Sequence, residues 1–273
     1  MMLASPKPLN PHFKRTAVAL AMLAGCATAS ALPTFTLNPA AAAPTLAGTS
    51  FTADNILISD YSTVTFDGAG HFTDTGFLSV SAFQLGGVTI IPPGLNSTYG
   101  MYFAFSGTGT TTAGDPSTTP TTGTFTSLTY TLYGYNGPAA SFGFTGNTPT
   151  ENASGEVVLA TGTLINGTAS TTPAAAGNGA PFTPSAAAKT TFAVAAGEAN
   201  FFVDPKPFHN LSFAAFTNTT TQVEAFAGGF RIRQGGGAVN FATAPIPEPE
   251  TYALMLAGLG AIGFVARRRR RQD

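Results

Sequence analysis

Hydrophobic and polar residues alternate in short runs along most of the chain between residues 46 and 244. In residues 125–135, Leu128, Tyr130 and Leu132 fall on one face of an extended segment and threonines fall on the other. We find no amphipathic helical period in this region. Because successive side chains of a strand point to opposite faces, the pattern predicts antiparallel sheets with one face in water.

Gly, Asn, Asp and Pro separate these runs and indicate turns between about eight to twelve strands. Residues 67–70 are typical of a hairpin turn. Strands without helices predict an all-β fold, here a jelly-roll-like antiparallel β-sandwich. The expected strands are residues 55–66, 71–85, 99–105, 125–135, 156–165, 190–203, 211–216 and 222–233, with an edge strand at 239–241.

Two stretches, residues 107–123 and 167–188, are rich in Thr, Ala, Pro and Gly. Such composition offers little apolar surface for a core. We therefore expect long surface loops within one domain that spans residues 32–246. A linker between two small domains is the alternative interpretation.

The N-terminus has the features of a secretory signal peptide, predicted over residues 1–31. Two basic residues precede an apolar run that is too short for a stable membrane anchor. Small residues follow, and Ala29 and Ala31 form an A-x-A site for signal peptidase. Cleavage there would leave Leu32 as the first mature residue.

A second interpretation of this end concerns Cys26, the one cysteine of the chain. The segment from Leu23 to Cys26 is similar to a bacterial lipobox, in which the cysteine is diacylated and becomes N-terminal. Under either interpretation the mature chain has no free cysteine and no disulfide.

The C-terminus combines three features. Pro247, Glu248 and Pro249 precede an uncharged, mostly apolar segment at residues 252–266, which is predicted to be a transmembrane helix. At about 1.5 Å per residue this helix would be shorter than the bilayer core of roughly 30 Å, a difference that long basic side chains could bridge. A basic cluster, which should remain cytoplasmic, ends the chain: Arg267, Arg268, Arg269, Arg270 and Arg271.

This tail, residues 247–273, resembles the PEP-CTERM sorting signal of Gram-negative bacteria that produce exopolysaccharide. The resemblance implies that an exosortase-type membrane transpeptidase recognises the tail and removes it near the motif. The protein would be held in the inner membrane transiently and would then pass to the cell surface or the extracellular matrix. An ordinary C-terminal anchor with a chance Pro-Glu-Pro sequence is the alternative.

Charge argues against a nucleic-acid partner. Charged residues are 9% of the chain, whereas about 25% is usual in soluble domains. The basic clusters lie at the two termini, and the region between residues 32 and 246 has four basic and ten acidic residues. This distribution is typical of membrane targeting rather than of DNA or RNA binding.

No catalytic residue, metal site or cofactor is predicted. The mature body has two histidines, His71 and His209, and no nucleophile elbow, zinc spacing or phosphate loop accompanies them. We expect both histidines to be structural and the protein to be non-enzymatic.

Two alternatives for binding remain open. Carboxylates at strand ends could bind calcium, although turns also favour Asp; the candidates are Asp54, Asp60, Asp67 and Asp74. A glycan cleft usually offers aromatic platforms, and the chain has no Trp but several tyrosines, namely Tyr99, Tyr102, Tyr130, Tyr133 and Tyr135.

The order of β segments, from Phe51-Thr52-Ala53-Asp54 to the tail, is also similar to the flocculation-associated PEP-CTERM proteins of floc-forming bacteria. That resemblance implies a non-enzymatic matrix protein that acts with exopolysaccharide in cell aggregation, as in flocs or biofilms. A carbohydrate-binding or calcium-dependent adhesion module is the alternative.

Overall fold

The alternating pattern forms strands throughout the computed structural model, which describes residues 32–175 and 179–242. Within these two ranges, short 3-10 helices interrupt the strands at Pro39–Ala41, Glu198–Asn200 and Thr220–Gln222. The strands are β1 Phe35–Leu37, β2 Phe51–Ala53, β3 Asn55–Phe66, β4 His71–Leu85, β5 Val88–Ile90, β6 Tyr99–Thr111, β7 Thr121–Asn136, β8 Phe142–Thr145, β9 Thr148–Glu151, β10 Val157–Pro173, β11 Phe182–Thr191, β12 Ala193–Val194, β13 Phe202–Asp204, β14 Leu211–Thr217, β15 Val223–Phe226 and β16 Gly229–Ala242.

The long strands form one closed ring in the order β11, β14, β16, β3, β4, β6, β7 and β10. Strand β10 pairs with β7 on one side and with β11 on the other, for example Thr168 with Ala187, so the last strand of the ring returns to the first. Closure gives each long strand two partners and leaves no open edge in the ring. The all-β prediction is confirmed, but the predicted sandwich is wrong because the sheet is an eight-stranded antiparallel barrel.

The barrel closes through the low-complexity stretches. Strand β6 extends to Thr111 and β7 begins at Thr121, so the connection is only residues 112–120 rather than 107–123. In the second stretch, β10 extends to Pro173 and β11 begins at Phe182. Thr is favoured in strands, and backbone pairing between neighbouring strands does not require large side chains.

The structure also differs from the prediction of one strand at residues 190–203. Strand β11 ends at Thr191, and the chain then forms β12, a 3-10 helix and β13. Gly197, at the start of that helix, has a left-handed backbone (φ 91°), which ends the extended run. Residues 222–233 form parts of the β15–β16 hairpin, with a turn before Gly229.

Aromatic residues fill one end of the barrel beneath the small sheet of β13, β1 and β2. Phe35 is fully buried and its ring lies 5.0 Å from that of Phe241 in an edge-to-face arrangement. Phe192 contacts both Phe202 and Phe241, with ring centroids 5.4 and 4.7 Å apart. Such pairs stabilise a core beyond simple burial.

Both ends of the chain for which targeting signals are predicted lie outside the described residues. These are the signal peptide with Cys26, Ala29 and Ala31, and the tail from residue 247 onward. Among the residues that the structure does describe, no helix has the length and apolar character needed to cross a membrane.

Candidate functional site

Three of the predicted tyrosines meet on the outer wall of the barrel and form what we call the outer tyrosine cluster: Tyr102, Tyr133 and Tyr135. Strands β6 and β7 pair Tyr102 with Tyr133 directly, and their rings stack with centroids 5.2 Å apart and planes 23° apart. Tyr135 lies 6.2 Å from Tyr102. Tyr102 and Tyr135 are buried, whereas Tyr133 remains partly exposed.

Two carboxylates accompany this cluster. The Tyr102 hydroxyl donates a hydrogen bond of 3.4 Å to Glu156 Oε1. Burial, with the nearby charges of Glu151 and Glu156, raises the pKa of Tyr102 above its usual value. Burial also raises the pKa of Tyr135, although the backbone N–H of Ala140 donates to its hydroxyl at 2.9 Å. Both phenols are therefore neutral at ordinary pH.

The hairpin of β8 and β9 covers one side of the cluster. Phe142 is its anchor, because its ring contacts Tyr61, Phe77 and Tyr102 at 5.6, 6.2 and 5.6 Å. Arg231 holds the turn by donating to the carbonyl of Gly146 at 2.5 Å. The hairpin thus covers Tyr102, while the stacked Tyr133 stays partly exposed.

An aromatic face with adjacent carboxylates has the chemistry that recognises a sugar. The apolar face of a pyranose ring can pack on an aromatic ring, and carboxylate oxygens accept hydrogen bonds from hydroxyl groups. Sequence reasoning singled out the tyrosines but missed Glu151, Glu156 and the hairpin. The available signal was Gly146-Asn147, a two-residue turn between the paired Thr145 and Thr148.

The other two candidate tyrosines are not surface platforms. Tyr99 is fully buried. Tyr130 points into the barrel, where its hydroxyl donates to the Thr191 carbonyl at 2.9 Å and lies 3.0 Å from Ser212 Oγ. Both therefore belong to the core.

Exposed hydroxyl groups form two rows across the same wall, which we call the hydroxyl rows. Neighbouring strands β4, β6, β7 and β10 place their members in register. The side chains are exposed and uncharged, and the rows consist of Thr75, Ser106, Thr129 and Thr163 in one and Thr73, Thr108 and Ser127 in the other.

The four candidate aspartates are not gathered at one strand end. Asp54 and Asp67 flank β3 at its two ends, whereas Asp60 and Asp74 line the interior of the barrel. Within the described ranges, no group of three or more His, Cys, Asp or Glu side chains is placed to hold a metal ion. The arrangement expected for calcium is therefore not found there.

Asp67 and His71 stabilise the β3–β4 turn instead. Asp67 Oδ1 accepts from the backbone N–H groups of Ala69 and His71 at 2.7 and 3.0 Å, and Oδ2 lies 2.7 Å from His71 Nδ1. These hydrogen bonds lower the pKa of Asp67 to about 2. The other histidine, His209, contacts the Thr34 carbonyl at 3.2 Å and stacks on Phe241, which is a structural environment.

Comparison with known proteins gives a family match at the C-terminus. Neither the curated proteins nor the solved structures provide a similar chain. Residues 245–271 match the family described as the PEP-CTERM protein-sorting motif, a range that contains Pro247, Glu248, Pro249 and the five arginines. The motif implies export and recognition by an exosortase, a membrane processing enzyme. The chain therefore carries a PEP-CTERM protein-sorting motif behind an all-β body.

Proposed function

We propose that the protein is a non-enzymatic component of the extracellular matrix that holds cells and exopolysaccharide together. The observation that carries this proposal is the sorting motif at residues 245–271, which directs the body to the outside of the cell. Signal peptidase would first release the N-terminal segment after Ala31. An exosortase-type transpeptidase would then separate the barrel from the tail near Pro247–Pro249.

The surface of the barrel suits a hydrated, uncharged or weakly acidic polymer. The hydroxyl rows offer donors and acceptors without fixed charge, and hydroxyl-bearing side chains can exchange hydrogen bonds with a glycan or with its bound water. The body has few basic residues, so strong attraction of a polyanion is not expected.

A carbohydrate-binding module is the second candidate function, and it is compatible with the first. The outer tyrosine cluster, with Glu151 and Glu156 beside it, supports this candidate. Tyr133 would pack against a sugar ring while the carboxylates accept hydrogen bonds from sugar hydroxyls. A binding site of this kind would attach the matrix protein to its polymer.

Gene deletion and rescue in the producing bacterium test the proposal. We expect deletion to reduce aggregation and the intact chain to restore it. A chain in which an unrelated membrane anchor replaces residues 247–273 should remain cell-bound and fail to restore aggregation. Unchanged aggregation after deletion would refute the matrix role, and full rescue by the anchored chain would refute the need for sorting.

A further inference from the structure

The interior of the barrel contains a cavity that the proposed matrix role does not use. Its volume is about 110 Å³, and most of its lining consists of apolar side chains such as Phe103, Phe125 and Ile232. It adjoins a wider depression of about 720 Å³, and both are lined by Thr111, Ser170 and Ser185. A small molecule could therefore enter from that side.

Two carboxyl groups face this apolar space. Asp60 on β3 and Asp74 on β4 both line it, on either side of the register pair of Ser62 and Gly76. Asp60 is only 4% exposed. Each of the two aspartates has a solvent-shielded Oδ1 without a hydrogen-bond partner.

A third acceptor lies next to Asp60. Strand β16 pairs Gly235 with Asp60, and a side chain at Gly235 would collide with the amide oxygen of Asn218. Asn218 is 3% exposed, and its Oδ1 also lacks a hydrogen-bond partner. The amide nitrogen of Asn218 contacts the Pro184 carbonyl at 3.4 Å, which leaves the oxygen available.

These three oxygens have no hydrogen-bond partner, and among the described residues the buried Ser62 hydroxyl near Asp60 is the one donor that is also unpartnered beside them. A ligand that supplies N–H or O–H groups would satisfy the remaining acceptors, because an unsatisfied buried acceptor destabilises the folded protein. The described residues that line the cavity include no Lys, Arg or His to balance a carboxylate. Among the described lining residues, the ionisable groups are Asp60, Asp74 and Tyr130. Burial raises the pKa of Asp60 to about 7, so above that pH its carboxylate favours a cation over a neutral or anionic ligand.

A bare metal ion fits less well than an organic cation. The described carboxylates at the cavity are two rather than three or more, and the surrounding wall is mainly aromatic and aliphatic. An apolar body would bury against that wall, and an ammonium group would meet the Asp60 carboxylate.

We propose that the barrel interior binds a small organic ammonium ion, with its apolar body against the phenylalanines and its N–H groups on the carboxylate of Asp60. The carboxylate recognises the charge, and Asn218 accepts a further hydrogen bond. The size of the cavity limits the ligand to roughly a single ring or a short alkyl chain.

Calorimetric titration of the full chain at about pH 8, above the raised pKa of Asp60, tests this assignment in a non-ionic detergent, with benzylammonium as the probe. Benzyl alcohol and benzoate have the same ring with a neutral or an anionic group. We expect benzylammonium to bind about tenfold more tightly than benzyl alcohol, and benzoate not to bind. Equal affinity for benzylammonium and benzyl alcohol, or no benzylammonium binding, would overturn the assignment.

An isosteric variant identifies the residue. Asp60→Asn should weaken benzylammonium binding about fivefold or more and leave benzyl alcohol binding unchanged. Asp115→Asn removes the same charge from an exposed loop and serves as the matched control. Thermal unfolding of each variant checks that the barrel is intact. Unchanged benzylammonium affinity in the folded Asp60→Asn variant would contradict the proposal.

Discussion

Tyr102 and Tyr133 stack on the outer wall of the barrel with their ring centroids 5.2 Å apart. The β8–β9 hairpin covers Tyr102, so only Tyr133 offers part of its face to solvent. The buried ring therefore supports the exposed one and fixes its orientation. This relationship makes Tyr133 the residue whose replacement tests glycan binding most directly.

We expect Tyr133→Ala to reduce the affinity for purified native exopolysaccharide about fivefold to tenfold, because the stacking surface is lost. Tyr133→Phe keeps the ring and should bind nearly as well as the unmodified protein. Affinity electrophoresis in gels that contain the polysaccharide measures the difference. If the alanine variant migrates like the unmodified protein, the cluster is not the binding site.

Because Asp60 is buried, we predict an unusual dependence of stability on pH. Burial raises the pKa of Asp60 from 3.8 to about 7. The nearby Ser62 hydroxyl offsets part of this rise in pKa, although its position does not meet the geometry of a hydrogen bond. Because the folded state holds this proton more tightly than the unfolded state, the free energy of unfolding should fall as pH rises from about 4 to 7. The loss attributable to Asp60 is at most about 4 kcal/mol.

Asp60→Asn should remove this contribution and be more stable than the unmodified protein at pH 8, with little difference near pH 4. Urea unfolding at a series of pH values measures the effect. Asp67→Asn is an informative comparison, because the lowered pKa of Asp67 places its contribution at acid pH: it is present above about 4 and is lost as pH falls toward 2. Parallel curves for the unmodified protein and Asp60→Asn would contradict the prediction.

We predict that position 76, which is Gly, tolerates no side chain. A Cβ there would meet the Tyr61 carbonyl oxygen and lie 2.6 Å from Ser62 Cα, both in the backbone of the paired strand β3. We expect Gly76→Ala to lower the free energy of unfolding by about 3 kcal/mol, since backbone contacts cannot relax without disturbing the ring.

Gly236→Ala is the matched control for this prediction. Its nearest neighbour would be the Thr217 carbonyl oxygen at 3.6 Å, an ordinary contact. Its loss of stability in urea unfolding should be below about 1 kcal/mol. Equal loss in the two variants would show that the close approach at Gly76 does not constrain the barrel.

Much of the strand content follows from local pattern. Residues 55–66 and 71–85 were predicted as paired strands and coincide with β3 and β4, because their apolar positions alternate and a Gly-containing turn joins them. The closure of the sheet could not be predicted in this way. It depends on pairing between β10 and β11, whose small residues lack an apolar signal.

The candidate sites, too, could be predicted from the sequence only in part. The tyrosines could be identified in the sequence, but only the register of β6 and β7 shows that Tyr102 and Tyr133 stack. The aspartates were interpreted either as a calcium cluster at strand ends or as turn residues. Asp67 does lie in a turn, whereas the alternation within β3 turns Asp60 inward. The spacing between aspartates in different strands and turns does not determine which side of a closed sheet each one faces.

The sorting motif predicts a processing defect that can be separated from folding. Replacing Pro247, Glu248 and Pro249 together by alanine should leave the tail attached and keep the protein in the inner membrane. Glu250→Ala removes a charge next to the Pro-Glu-Pro triplet and leaves the triplet intact, so this variant should be processed normally. Cell fractionation with an antibody to the barrel measures the distribution, and normal surface delivery of the triple variant would refute recognition of the motif.

The most direct test of the central claim is the intact mass, with terminal sequencing, of the protein recovered from the cell surface and matrix. We predict a chain that begins at Leu32 and ends near Pro247–Pro249, without Arg267–Arg271. A lipid mass on Cys26 would replace the first of these predictions with lipoprotein processing. Retention of the five arginines would contradict exosortase sorting and indicate a plain inner-membrane anchor.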